Sequence, residues 1–295
     1  MSLISKQKYK KELTYLMFIL PGILIYVIGM FLPIIKGVGY SLTDWDGLSE
    51  TSKFIGISNY LDAFKDSRVL YSFWFTLKFT FWNTIIQNIF ALAFAIALDS
   101  KIKGKKLLRT IIYIPALLSP ILVGYIWNRL FTDVLPSLNS ILHTNFNFSL
   151  LSNPDTVLSG LVIINNWQWI GYWMVVYLAA LQSVPIELYE AIEIDGGGAL
   201  KKFCYVTLPM IAPAITICIV SISTGSFKLF DLVVTATKRG GPGHASESMI
   251  LLIYNMAFGV GRPSYASAIS MIFLGCLMIF AVFQLKYFRK KEIQL

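Results

Sequence analysis

Residues 183–209, SVPIELYEAIEIDGGGALKKFCYVTLP, decide how the rest of the chain is read. Four acids (Glu187, Glu190, Glu193 and Asp195) precede three consecutive glycines and the pair Lys201-Lys202, in a chain otherwise sparing with charge. Ser183 or Pro185 is expected to start a helix, since a hydroxyl caps free N–H groups and proline tolerates the first turn. Glu187 and Glu190 would then fall where the helix dipole favours anions. The glycines at 196–198 would end that helix and allow a sharp reversal. Residues 200–206 would form a second short helix, with Pro209 opening the next apolar run. The expected product is a polar helix-turn-helix elbow between two apolar stretches.

Composition says what surrounds the elbow. Of 295 residues, 56% are hydrophobic and only 14% charged, with a mean hydropathy of +0.66. A soluble domain carries about 25% charged residues. The deficit, together with long uncharged runs, places the chain in the membrane class. The net charge of +9 does not point to nucleic acid, because the cations cluster beside apolar runs and no basic patch with interleaved aromatics occurs. Cys204, Cys218 and Cys276 lie in or beside apolar segments without metal spacing or a disulfide framework, and read as small buried hydrophobes.

The apolar runs predict an all-α membrane fold of six transmembrane helices, at about 13–35, 71–98, 110–131, 156–181, 209–234 and 266–288. The first is too long for a signal-peptide core and lacks a small-residue cleavage site; a bend is expected near Pro21-Gly22. Residues 36–70 are mixed, with a turn at Asp44-Trp45-Asp46-Gly47 and a short amphipathic helix capped by Ser58, running through Asn59, Tyr60, Leu61 and Phe64. The second run is interrupted only by Lys78, near enough to one end to snorkel. Pro115 and Pro120 lie inside the third. Beyond the fifth, TKRGGPGHASES (237–248) marks an irregular connection, and 249–260 is too short to cross a bilayer and suits a re-entrant or short helical segment. The expected organisation is a tail, first helix and external loop at 1–70, a core of five further spans at 71–288, and a basic tail at 289–295.

Six spans put both termini on one side. With that side cytoplasmic, the inside carries Lys6, Lys8, Lys10, Lys11, Lys101, Lys103, Lys105, Lys106, Arg109, Lys201, Lys202, Lys286, Arg289, Lys290 and Lys291. The outside carries Lys36, Lys53, Lys65, Arg68, Lys238, Arg239 and Arg262. Fifteen against seven favours cytoplasmic termini under the positive-inside rule and places the elbow in the cytoplasm.

The elbow also resembles a known motif. Glu190-Ala191, then Gly196 four residues after Ile192, then Leu208-Pro209 ending Val206-Thr207-Leu208-Pro209, look like the EAA loop of ABC importer permeases. Ile192 stands where alanine is usual. Ser41-Leu42-Thr43-Asp44-Trp45, 54–60 (FIGISNY), Glu187-Leu188-Tyr189, Ile194-Asp195-Gly196 and Gly240-Gly241-Pro242-Gly243 leading to Glu247 resemble the sugar-uptake branch, so the likeness covers most of the chain. The resemblance implies the type I permease fold in a bacterial-type plasma membrane. It makes Glu187, Glu190, Ala191, Asp195, Gly196, Gly197, Leu208 and Pro209 the coupling loop that seats in a separate ATPase subunit. Glu190 is expected to form a salt bridge or cap the elbow. The resemblance further implies pairing with a second permease chain, better a different one than a copy, and delivery of solute by an extracytoplasmic binding protein.

The chain has no GxxxxGK[ST] loop, so hydrolysis must come from the partner, which would hold ATP and magnesium; no cofactor is expected on this chain. Inside the spans, polar residues are functional candidates by default. Asn165, Gln168, Trp169 and Tyr172 share one helical face and offer amides for hydroxyls and rings for apolar sugar faces, or else an interfacial aromatic belt with helix-packing amides. Ser223 and Thr224 in the fifth run and Asn255 in the short apolar segment are further candidates. Ser221 and Gly225 read as a helix-packing pair, and Lys228 and Asp231 as an ion pair three residues apart. An intramembrane enzyme is disfavoured: the only histidines, His143 and His244, sit in outer loops, and no catalytic or metal residue set is found. A membrane receptor or scaffold, or an importer for glycerol phosphate, amino acid or peptide, are the rival readings.

Overall fold

The structure, a computed structural model, describes residues 3–100, 102–142 and 150–289. His143, Lys101, Lys290 and Lys291, and with them most of the basic tail, lie outside the described residues. The chain divides into two units, one of Met1–Lys65 with Ile253–Ile272 and one of Asp66–Leu252 with Phe273–Leu295.

In the first unit, α1 (Leu3–Tyr26) and α2 (Leu32–Ser41) form one apolar stretch through a π turn at Val27–Phe31. Pro21 sits inside α1 without breaking it. The irregularity expected at Pro21-Gly22 falls instead just ahead of Pro33, which has no N–H for the carbonyl of Gly29 and whose ring crowds it. In the short helix α3 (Ser58–Lys65), Ser58 is the first residue and not the cap. The carbonyl of Ile57 takes the first N–H groups, from Tyr60 at 3.0 Å and Leu61 at 3.1 Å. Asn59 is buried, and its amide donates to the carbonyls of Ser41 and Thr43, both at 2.9 Å. The loop between α2 and α3 turns on Asp46, whose carboxylate accepts from the backbone N–H groups of Ser49 at 2.8 Å and Leu48 at 3.0 Å and from the Ser49 hydroxyl. Those donors hold its pKa down to about 2.

The second unit is built on α4 (Ser67–Asp99), 33 residues long and capped by the Asp66 carboxylate accepting from the Arg68 N–H. Ser72, Thr76, Phe79, Asn83, Gln87, Ala91, Ala95 and Leu98 are buried on it at three- and four-residue intervals, one face of a helix. The third apolar run is not a single helix. After α5 (Lys105–Tyr113) and a 3₁₀ turn at Ile114–Leu117, the chain bends by 96° into α6 (Pro120–Arg129). Proline at the first position of α6 forces Ser119 into an extended conformation, φ −62° and ψ 136°. After a π turn comes α7 (Leu135–Leu142).

The fourth run forms α8 (Val157–Gln182). The elbow comprises α9 (Ile186–Ile194), α10 (Ala199–Lys202) and α11 (Leu208–Met210), and the fifth run forms α12 (Ala212–Phe227) and α13 (Asp231–Ala236). Pro209 therefore does not open the fifth span; it lies in α11, and the span starts three residues later with Pro213 in its first turn. Two apolar clusters lie along α4. One gathers Phe75 and Phe79 with Val123, Leu161, Ile164, Leu232 and Val233. The other gathers Ala91, Ala95 and Leu98 with Met174, Tyr177, Leu178, Cys218 and Ile222. Arg68 and Glu247 form a two-pronged pair at 2.7 and 2.8 Å, with the Glu247 side chain fully buried. Tyr71 adds a 2.9 Å bond to the Ala245 carbonyl.

The remaining helices, α14 (Met249–Tyr254) and α15 (Pro263–Arg289), each run from one unit into the other. Three helices among the described residues are long and apolar enough to cross a membrane, and up to six spans result when each of three bent helix pairs counts as one. The fold is all-α and multi-pass.

Candidate functional site: an exposed elbow and a polar cavity

Both candidate features lie in the second unit. The elbow begins where α8 stops. The Ser183 hydroxyl bonds backward to the Ala180 carbonyl at 2.7 Å, so it closes α8 rather than capping α9, whose first-turn cap position is Pro185. The axis turns by 67° from α8 into α9, and again by 67° between the 199–210 segment and α12.

The reversal after α9 is a Schellman closure. The Gly197 N–H reaches the Ile192 carbonyl at 2.8 Å and the Gly196 N–H the Glu193 carbonyl at 3.1 Å. Gly196 has φ +70°, which a side chain resists. Gly197 is buried under Ile192; a Cβ there would overlap Ile192 Cγ2 and stand 2.8 Å from the Ile192 carbonyl oxygen. The branched residue that departs from the expected alanine is therefore part of the turn.

Two contacts brace the elbow: Lys202 Nζ with Glu193 at 3.1 Å, and Tyr189 with Thr207 hydroxyl to hydroxyl at 3.1 Å. Glu193, not Glu190, makes the ion pair. Glu187, Glu190, Ala191, Asp195 and Gly196 are exposed, and Leu208 and Pro209 half-buried. No residue of α9 is buried, and Ile194 and Leu200 are 86% and 76% exposed. A nine-residue helix is marginal in water without tertiary packing. Its bare apolar side chains are the kind of surface that marks an interaction site.

A cavity of about 280 Å³ opens where α4, α8 and α12 meet. Asn165, Trp169 and Tyr172 line it, as does Trp173. Gln168, placed on the same face in the sequence, does not; it is fully buried and its amide donates to the Leu118 carbonyl at 2.9 Å, in the break between α5 and α6. A carbonyl freed by the Pro115–Pro120 break draws that amide away. Ser223 and Thr224 also lie outside the cavity: the Ser223 hydroxyl donates to Gln284 at 2.9 Å, and Thr224 bonds back to Val220. Asn255 lies in the π turn that follows α14, in the first unit. Ser221 and Gly225 face the cavity and do not pack against a helix; a Cβ on Gly225 would meet nothing within 4 Å. Lys228 and Asp231 both line it without forming an ion pair, because α12 stops at Phe227 and the turn between them removes the helical spacing.

The sequence reading missed Asn83 and Gln87. They were legible as amides one turn apart in a run otherwise counted as broken only by Lys78. Asn83 is the central residue of α4, and the amides separate the two apolar clusters. Their orientation is set by one backbone atom. Asn166 must present its nitrogen to the Val162 carbonyl, at 2.8 Å, and the same nitrogen donates to Asn83 Oδ1 at 2.9 Å. Asn83 Nδ2 must then face Ser226 Oγ at 2.8 Å and Gln87 Oε1 at 3.1 Å. Gln87 is left with Nε2 turned away and without a hydrogen-bond partner, though the residue lines the cavity and is 2% exposed. Among the described residues no cluster of three metal-ligating side chains occurs.

Comparison with known proteins identifies the family. Residues 87–291 match the family described as binding-protein-dependent transport system inner membrane component. The chain is 34% identical over 97% of its length, and 98% of the relative's, to a probable starch degradation products transport system permease of Thermoanaerobacterium thermosulfurigenes, AmyD. It is 31% identical, over 94% of this chain and 95% of the other, to the multiple sugar-binding transport permease MsmF of Streptococcus mutans. It is 30% identical, over 95% of each, to the sn-glycerol-3-phosphate permease UgpA of Shigella flexneri. The fold matches a chain of a bacterial ABC transporter for import of the acidic polysaccharide alginate, with TM-score 0.82, 19% identity, and coverage of 98% and 99%. The chain belongs to the binding-protein-dependent transport family, as a type I permease subunit of an ABC importer.

Proposed function

We propose that this chain forms half of the translocation pathway for a sugar or oligosaccharide, and that its elbow at 183–209 couples that pathway to a separate ATPase. The observation that carries the coupling reading is α9, with no buried residue and a 67° turn at each side of the elbow. Closure of the ATPase around ATP would push α9 and tilt α8 and α12, to which it is chained, switching access to the cavity between them. Glu187, Glu190, Ala191, Asp195, Gly196, Gly197, Leu208 and Pro209 form the loop that does this. The elbow and both termini lie in the cytoplasm of a bacterial-type plasma membrane, a reading supported by the excess of lysine and arginine on that side. A second, similar permease completes the channel and an extracytoplasmic binding protein delivers the solute.

The sugar reading is supported by the likeness to AmyD, a probable starch degradation products permease, and MsmF, a multiple sugar-binding transport permease, and by a cavity walled with Asn165, Trp169, Tyr172, Asn83 and Gln87. Aromatic rings cover apolar sugar faces and amides exchange hydrogen bonds with hydroxyls. The likeness to UgpA makes glycerol phosphate the second reading, although Asp231 balances the cation of Lys228 at the cavity. Co-purification with its ATPase, followed by ATPase stimulation on adding the binding protein loaded with either solute class, separates the two. Glu190→Ala and Gly196→Asp are expected to abolish solute-stimulated hydrolysis while leaving the permease in the membrane; unchanged stimulation in both variants would refute the coupling role.

A further inference from the structure

We infer that α3 is an interfacial helix, seated with one face in the headgroup–acyl boundary of the bilayer on the side where α2 emerges. The inference concerns the first unit alone and does not depend on which solute is carried.

The helix has two unlike faces. At 100° per residue, Asn59 and Ala63 lie together, and they are 6% and 1% exposed, with Asn59 bonded to Ser41 and Thr43 of its own unit. Leu61 and Phe64 fall within a 60° arc on the opposite side, by the same 100° step, and are 52% and 63% exposed; Ile57, in the turn just before the helix, is 63% exposed. Leu61 and Phe64, with Ile57 ahead of them, give the helix an apolar face that the described residues leave open.

Hydrogen bonds fix the level at which this stripe sits. The Asn59 amide holds the carbonyls of Ser41 and Thr43, and Tyr60 and Ser41 share a hydroxyl bond of 2.7 Å. Ser41 is the last residue of α2, the end of the 30-residue apolar span Glu12–Ser41. Beside it Tyr40 and Trp45 stack with centroids 4.6 Å apart, an amphipathic aromatic pair of the kind that collects at the membrane–water boundary. A 30-residue helix is about 45 Å long, close to the thickness of a bilayer with its headgroups, so a short helix bonded to its last residue lies near the headgroup level. The exposed apolar side of α2, with Ile35, Val38 and Tyr40, runs up to the same point. The nearest apolar phase available to Ile57, Leu61 and Phe64 is therefore lipid. Asp62 and Lys65 flank the stripe, where their charges reach water.

The test uses the transporter assembled with its partner subunits in vesicles of phosphatidylethanolamine and phosphatidylglycerol. In a Cys204→Ser/Cys276→Ser background that leaves the buried Cys218 in place, nitroxide labels go on Leu61→Cys, Phe64→Cys and Asp62→Cys. Labels at 61 and 64 should collide with oxygen several-fold more than with an aqueous nickel chelate, and the label at 62 should show the reverse. Nickel access at 61 and 64 equal to that at 62 overturns the inference. So does protection from both reagents, which would mean that a protein subunit covers the stripe. Phe64→Trp keeps the test open if labelling disturbs the fold: brominated lipids should quench the added emission relative to the unsubstituted transporter, and absence of extra quenching overturns the inference equally.

Discussion

At the residue scale, Ile192 and Gly197 act as one object. A methyl on Gly197 collides with the Ile192 side chain and crowds its carbonyl, and overpacking of this kind costs about 1–3 kcal/mol. Gly197→Ala should lower solute-stimulated ATPase activity, and Ile192→Ala in the same chain should restore part of it. Restoration stays partial because the carbonyl, 2.8 Å from the added carbon, does not move with the side chain. A double-mutant cycle on stimulated hydrolysis reads the coupling directly. Gln87 offers a second contrast. Its unpartnered nitrogen costs the fold roughly 1–3 kcal/mol, but Gln87→Leu also removes the acceptor of Asn83 Nδ2, so the two changes should offset and leave the melting temperature in detergent little altered. If the nitrogen serves a solute oxygen during passage, the same variant should slow uptake. Uptake unchanged in a variant of unaltered stability would assign Gln87 no part in transport.

At the scale of elements, the helices hold each other by close backbone approach. A Cβ on Gly171 of α8 would overlap the Ile112 carbonyl and come within 2.8 Å of Tyr113 Cα, backbone atoms that cannot swing aside. Gly171→Ala should therefore cost about 1–3 kcal/mol or more and lower the yield of folded protein. Gly225→Ala, with open space around it, should cost nothing by this route. Fluorescence-detected gel filtration of the two variants checks the difference. The positions of the apolar runs and the elbow could be read from sequence because hydropathy and glycine punctuation are local properties. The breaks could be read only in part. Pro115 and Pro120 mark where one falls, although residues 110–131 read as a single span, and the end of α12 at Phe227 had no such marker; with it fell the expected pairing of Lys228 with Asp231. Gln168 was misplaced for a similar reason: its partner is a carbonyl 50 residues away that no periodicity reveals.

At the scale of the molecule, six spans with the elbow inside predict opposite labelling at two lysines. Lys238→Cys should react with an impermeant maleimide in intact cells, whereas Lys201→Cys, in a Cys204→Ser background, should react only after the membrane is opened. The reverse pattern would invert the orientation. The pair joining Arg68 to the fully buried Glu247 spans 179 residues of sequence and bears on how the chain is made. Chain growth at about 5–20 residues per second means that Arg68 emerges roughly 10–35 s before its partner. Through that interval the Arg68 cation has the Asp66 carboxylate beside it but not its bidentate partner. The latch at this end of the second unit can therefore close only after residue 247 has left the ribosome.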